Sequence, residues 1–272
     1  MNFEKIKRIE KHLKNKLRVL KPKKNYVKYR DVILPPRNLR YCGEAFKKDS
    51  YFLQSGEEEA QRLTGPLGLT HKSCLLEIGC GPGRLPIGIL NAFGEINYWG
   101  VDIDQKSIDW CNRYISRLHP SFRFIWISVK HDRYNPQGPE MDDNFRLPFS
   151  SNSFDIVYLH SVFAAMLDKD VRIYIKEFNR VLKQGGKLFL TAFIEENVPD
   201  ITVNPDNYVM KCRGPLHITR YEKNYFFSMF RDSRFKIQRF DYGMELGGQS
   251  GLYLENLKSP QLSELPENFI AA

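Results

Sequence analysis

The sequence predicts an α/β fold whose core is a mostly parallel, doubly wound β-sheet with helices on both faces. Two observations support this fold class. From residue 74 onward, short apolar runs alternate with segments of helical periodicity, which is the pattern of consecutive βαβ units. A glycine-rich turn directly follows the first apolar run, at the position where such sheets bind ligands. The length of 272 residues fits one domain of this kind with extensions.

The apolar runs predict seven strands, and four of the segments between them predict helices. The predicted strands are residues 74–78, 97–102, 122–127, 154–160, 187–193, 235–242 and 252–257. The predicted helices are residues 84–93, 105–118, 168–182 and 221–232. Because only a short connection joins the last two strands, we expect one of them to run antiparallel to its neighbours.

The net charge of +9 is concentrated near the N-terminus. Residues 1–30 contain twelve Lys and Arg against two Glu, so the remaining 242 residues are close to neutral. A basic groove for a phosphate backbone is therefore not evident, and we expect no nucleic-acid partner. We divide the chain into a basic amphipathic helix and linker at 1–45, the α/β domain at 46–258 and a C-terminal tail at 259–272.

Apolar residues recur every three or four positions in the first 20 residues, on one face of a predicted helix with lysines around the rest. They are Phe3, Ile6, Ile9, Leu13, Leu17 and Leu20. Three roles are open for this helix: packing on the domain or on a second copy, peripheral membrane or lipid contact through residues 2–20, and nucleic-acid binding. Prolines at positions 22, 35 and 36 then predict an extended linker over residues 21–40.

Composition excludes several classes of protein. No apolar run reaches the roughly 18 to 20 residues that span a bilayer, and the first residues lack the apolar core of a signal peptide. We therefore expect a cytoplasmic protein. The five cysteines are scattered and form no CxxC pair, which argues against a disulfide framework and a zinc site, so no metal is predicted.

Gly79, Gly81 and Gly83 form a turn between the first predicted strand and the first predicted helix, where glycine lets the backbone approach a ligand closely. The spacing is GxGxG, and Arg84 stands where a dinucleotide fingerprint would have its third glycine. The turn therefore suits the amino-acid part of a ligand better than a diphosphate. Glu77, at the end of the strand, is placed to accept a hydrogen bond from an ammonium group, directly or through water.

The second predicted strand ends in Gly100-Val101-Asp102-Ile103. A carboxylate at the tip of this strand is placed to accept hydrogen bonds from both ribose hydroxyls of an adenosine. The glycine turn and Asp102 together predict a site for a ligand that joins an adenosine to an amino acid.

Four segments resemble, in order, the motifs of the class I S-adenosylmethionine (SAM)-dependent methyltransferases, and most closely the small-molecule enzymes among them. They are Leu76-Glu77-Ile78-Gly79-Cys80-Gly81-Pro82-Gly83, Gly100-Val101-Asp102, Leu147-Pro148-Phe149 with Ser153-Phe154-Asp155, and Arg180-Val181-Leu182-Lys183-Gln184-Gly185-Gly186-Lys187-Leu188. The resemblance covers roughly residues 50–257. It implies a seven-stranded Rossmann-like sheet with an antiparallel last strand, SAM as the cofactor, and methyl transfer to a nucleophile.

The resemblance also implies roles for single residues. The glycines of the turn would line the methionine part of SAM, Asp102 the ribose, and the end of the third strand the adenine. The implied cofactor residues are Glu77, Gly79, Gly81, Gly83, Asp102, Ile103, Ser128, Val129 and His160. Ser128 departs from the acid that the family often has at that position.

The family places acceptor-facing groups just after the fourth strand, where this chain reads Ser161-Val162-Phe163-Ala164-Ala165-Met166. Related small-molecule enzymes often carry a Thr-His pair in place of Ala164-Ala165, so the usual base is missing. His160 is the candidate replacement as general base, because an unperturbed imidazole accepts a proton near neutral pH. His217 is the second candidate. A structural role, or for His160 a cofactor contact, is the alternative.

We expect a methyltransferase that acts on a small-molecule acceptor such as a sugar, a glycolipid or a natural product, with oxygen as the acceptor atom. Two alternatives stay open. Methylation of RNA or protein is favoured only by the basic helix, and a SAM-fold binding protein without turnover is compatible with the loss of the Thr-His pair. Loops at 131–138 and 195–217 follow strand ends, where lids form. The sequence does not predict the oligomeric state.

Overall fold

A seven-stranded sheet with helices on both faces forms the core of the protein. The structure is a computed structural model that describes residues 25–41, 43–209 and 211–257. The amphipathic helix predicted within residues 1–20 and the tail predicted at 259–272 lie outside the described residues. No helix in the described ranges is long and apolar enough to cross a membrane.

The strands of the main sheet follow the predicted order. In chain order they are β3 (Cys74–Ile78), β4 (Asn97–Asp102), β5 (Phe122–Trp126), β6 (Phe154–Leu159), β7 (Leu182–Glu195), β10 (Phe235–Asp241) and β11 (Ser250–Asn256). Across the sheet the order is β10-β11-β7-β6-β3-β4-β5, and the pairs from β7 to β5 are parallel. Strand β11 is antiparallel to both of its neighbours. The predicted fold class, with its antiparallel last strand, is confirmed.

Within the described part of the chain, five helices pack on the two faces of the sheet. They are α1 (Asp49–Thr64), α2 (Arg84–Ala92), α3 (Gln105–Cys111, continued by a π-helical turn at Asn112–Ser116), α4 (Asp168–Val181) and α5 (Lys223–Asp232). Side chains of α1, α2 and α3 share one buried cluster, and those of α4 and α5 share the other. The sheet is thus doubly wound. It separates two apolar cores.

Helix α1 was not predicted, although its sequence has the spacing of a helix that packs on one side. Phe52, Leu53, Ala60 and Leu63 are buried on its inner face. A glycine in its middle and a run of three glutamates reduce the apparent apolar periodicity. The helix packs on α2 with main-chain contact, because a Cβ added to Gly88 would overlap with the backbone of Gly56. Only glycine fits on both sides of this crossing.

The extended linker predicted for residues 21–40 is wrong over its described part. Strands β1 (Val27–Tyr29) and β2 (Val32–Leu34) form a hairpin, and Leu34 and Leu39 are buried in the same core as α1. Arg40, only 2% exposed, donates to the carbonyl oxygens of Pro35 and Phe46 and pairs with Asp49 at 3.0 Å. A buried guanidinium with these partners fixes the segment to the start of α1. Residues 25–41 therefore belong to the folded unit.

Strand β7 continues past its predicted end and starts a small second sheet. Its last residues pair in parallel with β9 (Thr219–Glu222), which pairs antiparallel with β8 (Ile201–Val203). The helix predicted from residue 221 therefore begins two residues later, at Lys223, where the Glu222 side chain accepts a hydrogen bond from the Tyr225 amide. The long loop predicted after β7 forms part of this sheet and reaches the ligand-binding edge.

Candidate active site

A cavity of about 300 Å³ opens at the carboxyl ends of β3, β4 and β6. This is the edge where parallel sheets bind ligands. Its lining comes from the glycine turn, the end of β4, the connection after β5 and the segment between β6 and α4. The lining includes Tyr41, Gly79, Gly81, Asp102, Ile103, Val129, His131, His160, Met166, Asp170, Tyr174 and Leu216. Residues far apart in the sequence thus meet around one cavity.

The turn after β3 brings bare main chain to the cavity. Gly79 and Gly81 have φ angles of +74° and +49°, in the region that favours glycine. A side chain at Gly79 would overlap with Val162, whereas a Cβ at Gly81 would meet no atom within 4 Å. The turn is held by the amide of Gly79, which donates to the carbonyl oxygen of Val101 at 2.7 Å. Gly81 therefore leaves room for a ligand against the backbone, whereas Gly79 makes room for the side chain of Val162.

Gly83 has a different role from the one predicted. It also has a positive φ, 84°, and it precedes the first residue of α2. A Cβ at this position would lie 2.7 Å from Ile115 Cδ1 and 3.1 Å from Cys111 Sγ, so Gly83 packs against α3 and its π-helical turn. It is not among the residues that line the cavity. Its glycine is required for this packing, and contact of Gly83 with the cofactor stays a prediction.

Asp102 ends β4 with its carboxylate at the cavity. One carboxylate oxygen accepts from the amide of Gly81 at 2.6 Å and the other from the amide of Asp104 at 2.8 Å. Burial raises the pKa of Asp102 to about 6, although these amide hydrogen bonds oppose the shift. Ile103 also contributes a backbone hydrogen bond, and the carboxylate keeps remaining acceptor capacity for a ligand. Ile103 lies beside it in the lining.

Glu77 is buried beneath the turn and is not in the cavity lining. Its carboxyl group accepts a hydrogen bond from the hydroxyl of Tyr98. Burial raises the pKa of Glu77 to about 8. The predicted contact with an ammonium group would therefore need a bridging water or a shift of the side chain.

His160 belongs to a buried polar network, which consists of Glu59, Arg62, Arg84, Tyr158, His160 and Glu245. Its Nε2 lies 3.5 Å from Glu59 Oε1 and 3.9 Å from Glu245 Oε2, and its Nδ1 lies 3.1 Å from Ser161 Oγ. Glu59 and Glu245 also pair with Arg84 and Arg62, at 2.6 and 2.9 Å. Burial lowers the pKa of His160 to about 4, so the ring is neutral at pH 7. We place its proton on Nε2, facing the two carboxylates.

Residues 76–190 match the family model described as "Methyltransferase domain". This segment is identified as a methyltransferase domain of the class I SAM-dependent type. The predicted family resemblance and the predicted cofactor, SAM, are confirmed at this level. The cavity has features that suit SAM, namely a carboxylate at Asp102 and open space beside Gly81.

Curated relatives differ in their substrates. The 27-O-demethylrifamycin SV methyltransferase of Amycolatopsis mediterranei is 29% identical over 133 residues, which are 49% of this chain and 43% of that enzyme. The tRNA N(3)-cytidine methyltransferase METTL2 of Gallus gallus is 28% identical over 128 residues, or 44% of this chain and 30% of that enzyme. The chain thus spans less than half the length of either relative.

Solved structures share the fold at lower sequence identity. The crystal structure of the [4+2]-cyclase SpnF superimposes with a TM-score of 0.55 at 16% identity, and the match covers 76% of this chain and 82% of that chain. This similarity concerns the fold alone.

In this methyltransferase the other predicted site residues are divided between two places. Val129 lines the cofactor cavity, whereas Ser128 lines a second, more open groove beside it that also includes Trp126. His217 does not line the cavity; its Nδ1 accepts a hydrogen bond from the amide of Arg213 at 2.8 Å. Its neighbour Leu216 lies in the lining instead. His217 is therefore poorly placed for the role of base.

Two residues that were not predicted as site residues also face the cavity. Tyr41, from the segment predicted as a linker, has its phenol against the carboxylate of Asp104. His131 Nε2 lies 2.6 Å from the carbonyl oxygen of Ala165, which requires a proton on Nε2, and burial lowers the pKa of this histidine. The loop 131–138, predicted as a lid, is thus joined to the segment after β6.

Proposed function

We propose that this methyltransferase transfers the methyl group of SAM to an oxygen atom of a small-molecule acceptor. The observation that carries the proposal is that one cavity joins the glycine turn and Asp102 to the segment after β6, where the family has its acceptor-facing groups. The 29% identity to an enzyme named for a 27-O-demethylrifamycin substrate supports a small oxygen acceptor. A cytoplasmic location stays a prediction.

In the proposed complex, Asp102 accepts hydrogen bonds from the ribose hydroxyls, and Gly79 and Gly81 border the methionine part. Ile103 and Val129 enclose the adenine. When bound, SAM supplies an electrophilic methyl group on a sulfonium. The protein then has to hold the acceptor oxygen in line with that methyl group and exclude water, and such positioning supplies much of the rate.

His160 stays the proposed proton acceptor. It lines the cavity, and its neutral ring carries a lone pair on Nδ1, beside the Ser161 hydroxyl. Its pKa of about 4 makes it a weak base at pH 7. Positioning therefore has to contribute more than proton transfer. This favours an acceptor whose hydroxyl is acidic, such as a phenol, over a simple sugar hydroxyl.

RNA methylation is the second candidate. It is supported by the basic composition of residues 1–30 and by the similarity to a tRNA methyltransferase. Against it stands the nearly neutral composition of the remaining chain, since enzymes that follow a phosphate backbone need a positive groove.

The first test is calorimetric titration with S-adenosylhomocysteine (SAH). We expect the wild type to bind SAH, and Asp102→Ala to weaken binding by about 1 to 3 kcal/mol, the scale of lost hydrogen bonds in a buried site. The matched control is Asp109→Ala, which removes an exposed aspartate on α3. Unchanged affinity in Asp102→Ala would remove this residue from the ribose role.

The second test measures SAH formation with separate panels of acceptors. A panel of phenols and hydroxylated natural products should give turnover, and total tRNA should not. Turnover with tRNA alone would replace the proposed function by the second candidate.

A further inference from the structure

Ser161, in the segment after β6, has a strained main chain at the wall of the cofactor cavity. Its φ angle is +59°, in the left-handed region that a residue with a side chain adopts at a cost. The conformation is held by its amide, which donates to Thr191 Oγ1 on β7 at 2.8 Å. Ser161 lines the cavity next to His160. The strained segment therefore carries a hydroxyl group at the place where the acceptor is expected.

The hydroxyl of Ser161 belongs to a chain of hydrogen bonds whose direction is fixed at one end by Thr191. Thr191 is fully buried and accepts from the Ser161 amide, so its own hydrogen goes to Gln249 Oε1 at 2.7 Å. Gln249, which is 6% exposed, then donates from Nε2 to Ser161 Oγ at 2.8 Å. Because the Ser161 oxygen accepts this bond, its own hydrogen is left for another partner.

That partner is His160, whose Nδ1 lies 3.1 Å from Ser161 Oγ. The other ring nitrogen, Nε2, faces carboxylate oxygens of Glu59 and Glu245 at 3.5 and 3.9 Å. Carboxylates only accept, so the ring proton belongs on Nε2 and Nδ1 presents its lone pair to Ser161. Both ends of the chain therefore give the Ser161 hydroxyl the same direction. The amide bond to Thr191 would form with any side chain at position 161, so it does not explain the hydroxyl.

A serine oxygen has one hydrogen and two lone pairs. In Ser161 the hydrogen goes to His160 and one lone pair accepts from Gln249, so one lone pair is left within the described part of the chain. We propose that Ser161 accepts the proton of the acceptor hydroxyl and passes its own proton to His160 Nδ1. Gln249 and Thr191 are positioning residues that fix the direction of this relay. The inference rests on the proposed function, because it needs an oxygen acceptor in the cavity.

The relay conserves protons and electrons. The proton of the acceptor hydroxyl goes to Ser161 Oγ while the Ser161 proton goes to His160 Nδ1, so Ser161 ends as a neutral hydroxyl. The electron pair of the broken O–H bond stays on the acceptor oxygen. This oxygen donates a lone pair to the methyl carbon, and the bond of that carbon to sulfur breaks with its electrons on sulfur. His160 ends as an imidazolium whose Nε2 proton faces Glu59 and Glu245.

Two phenols on the same enzyme test the relay through the rate of SAH formation. At about pH 8, 4-nitrophenol is ionised and has no proton to transfer, whereas 4-methylphenol, like tyrosine with its pKa of about 10, keeps its proton. We expect Ser161→Ala to lower kcat for 4-methylphenol about 100-fold, the scale of general base catalysis. For 4-nitrophenol the loss should stay below about threefold, because the relay is not needed. General damage to the site would lower both rates equally.

Two further variants complete the design. Gln249→Met keeps the length of the side chain but cannot donate, so the Ser161 hydroxyl loses its fixed direction. It should lower kcat for 4-methylphenol about tenfold, leave its KM unchanged, and spare 4-nitrophenol. Ser228→Ala on α5 is the matched control. It removes another half-buried hydroxyl, which donates to the carbonyl oxygen of Tyr225 at 2.7 Å outside the cavity lining, and both rates should stay at the wild-type value.

Nitrogen NMR of the His160 ring gives a readout that needs no turnover. In the wild type without ligand, Nε2 should carry the proton and Nδ1 should accept a hydrogen bond. In Ser161→Ala the proton should stay on Nε2, and the Nδ1 resonance should move toward that of a free lone pair. A wild-type ring protonated on Nδ1 would overturn the relay, because Ser161 could not donate to it.

The outcomes separate this inference from the proposed function. Equal losses of kcat for the two phenols in Ser161→Ala, or no loss for 4-methylphenol, would overturn the relay while leaving methyl transfer to oxygen standing. Rates in Gln249→Met that equal those of the wild type would overturn the positioning role of Gln249. A wild type that forms SAH with neither phenol would overturn the proposed function itself, whichever nitrogen of His160 carries the proton.

Discussion

Replacing Glu59 by Gln tests whether the buried network beneath the cofactor turn depends on charge. One carboxylate oxygen of Glu59 accepts from Arg84 Nη2 at 2.6 Å, and the other accepts from the hydroxyl of Tyr158. Gln keeps the size of the side chain and one acceptor oxygen but removes the negative charge. The Arg84 guanidinium then loses its carboxylate partner while staying mostly buried, which is the costly way to break an ion pair.

The expected magnitude comes from the pKa of Glu59. Burial alone would raise this pKa, but the charges of Arg84 and His160, together with hydrogen bonds, lower it from 4.5 to about 2. Lowering the pKa from 4.5 to about 2 corresponds to about 3 kcal/mol, at about 1.36 kcal/mol per pKa unit. His160 is uncharged at pH 7, so its share is missing there. We expect Glu59→Gln to lower the free energy of unfolding by about 2 to 3 kcal/mol at pH 7.

Urea denaturation followed by circular dichroism measures this difference. Because the folded pKa is below the unfolded one, the stabilisation is present above pH 4.5 and is lost as the pH falls through about 2. The difference in the free energy of unfolding between the wild type and Glu59→Gln should therefore become smaller below pH 4.5. The control is Glu58→Gln on the same helix, where Glu58 is exposed and bonds only Gln54, and a change below about 0.5 kcal/mol is expected. If Glu59→Gln and Glu58→Gln had the same urea midpoint and the same slope at pH 7, the charge of Glu59 would not stabilise the fold as expected.

Three further predictions concern stability and cofactor binding. Gly88→Ala should lower the free energy of unfolding by about 3 kcal/mol, because its methyl group would overlap with the backbone of Gly56; an unchanged thermal midpoint would contradict the close crossing. Burial raises the pKa of Glu77 to about 8, so its contribution to stability is full below pH 4.5 and is lost as the pH rises through 8. The free energy of unfolding of Glu77→Gln, relative to that of the wild type, should therefore rise by about 4 kcal/mol between pH 5 and pH 9, and a pH-independent difference in thermal midpoints would argue against a protonated Glu77. Deleting residues 2–20 should leave SAH affinity unchanged in calorimetry, because the described lining of the cavity begins at Tyr41; loss of binding would make the deleted segment part of the site.

The fold could be predicted from local patterns. The bounds of β3 and β4 agree with the prediction to the residue, because a short apolar run between turn residues is a strand signal that needs no distant partner. Helix α1 was missed although Phe52, Leu53, Ala60 and Leu63 have helical spacing. The hairpin of β1 and β2 was missed because prolines and charges near it indicate a linker. Its burial depends on a core surface that the local sequence does not show.

The site was predictable only where it follows from a motif. Gly79, Gly81 and Asp102 reach the cavity because a strand end and the turn after it fix their positions. The other lining residues come from segments that the sequence does not connect, such as Tyr41 before α1 and Asp170 on α4. Their roles arise from tertiary packing. Gly83, inside the same motif, packs on α3, and this packing depends on a helix that the motif does not show.

The contact between Gly56 and Gly88 also constrains how this protein can move. Two main chains that touch directly cannot be adjusted by side-chain rotamers, so a displacement of α2 has to carry α1 with it. Helix α2 begins at Arg84, directly after the cofactor turn. Opening of that turn would therefore be a concerted motion of a helix pair, on the microsecond-to-millisecond timescale of collective motions, rather than the nanosecond fluctuation of a single loop. Relaxation dispersion of amides in both helices should then report one common exchange rate.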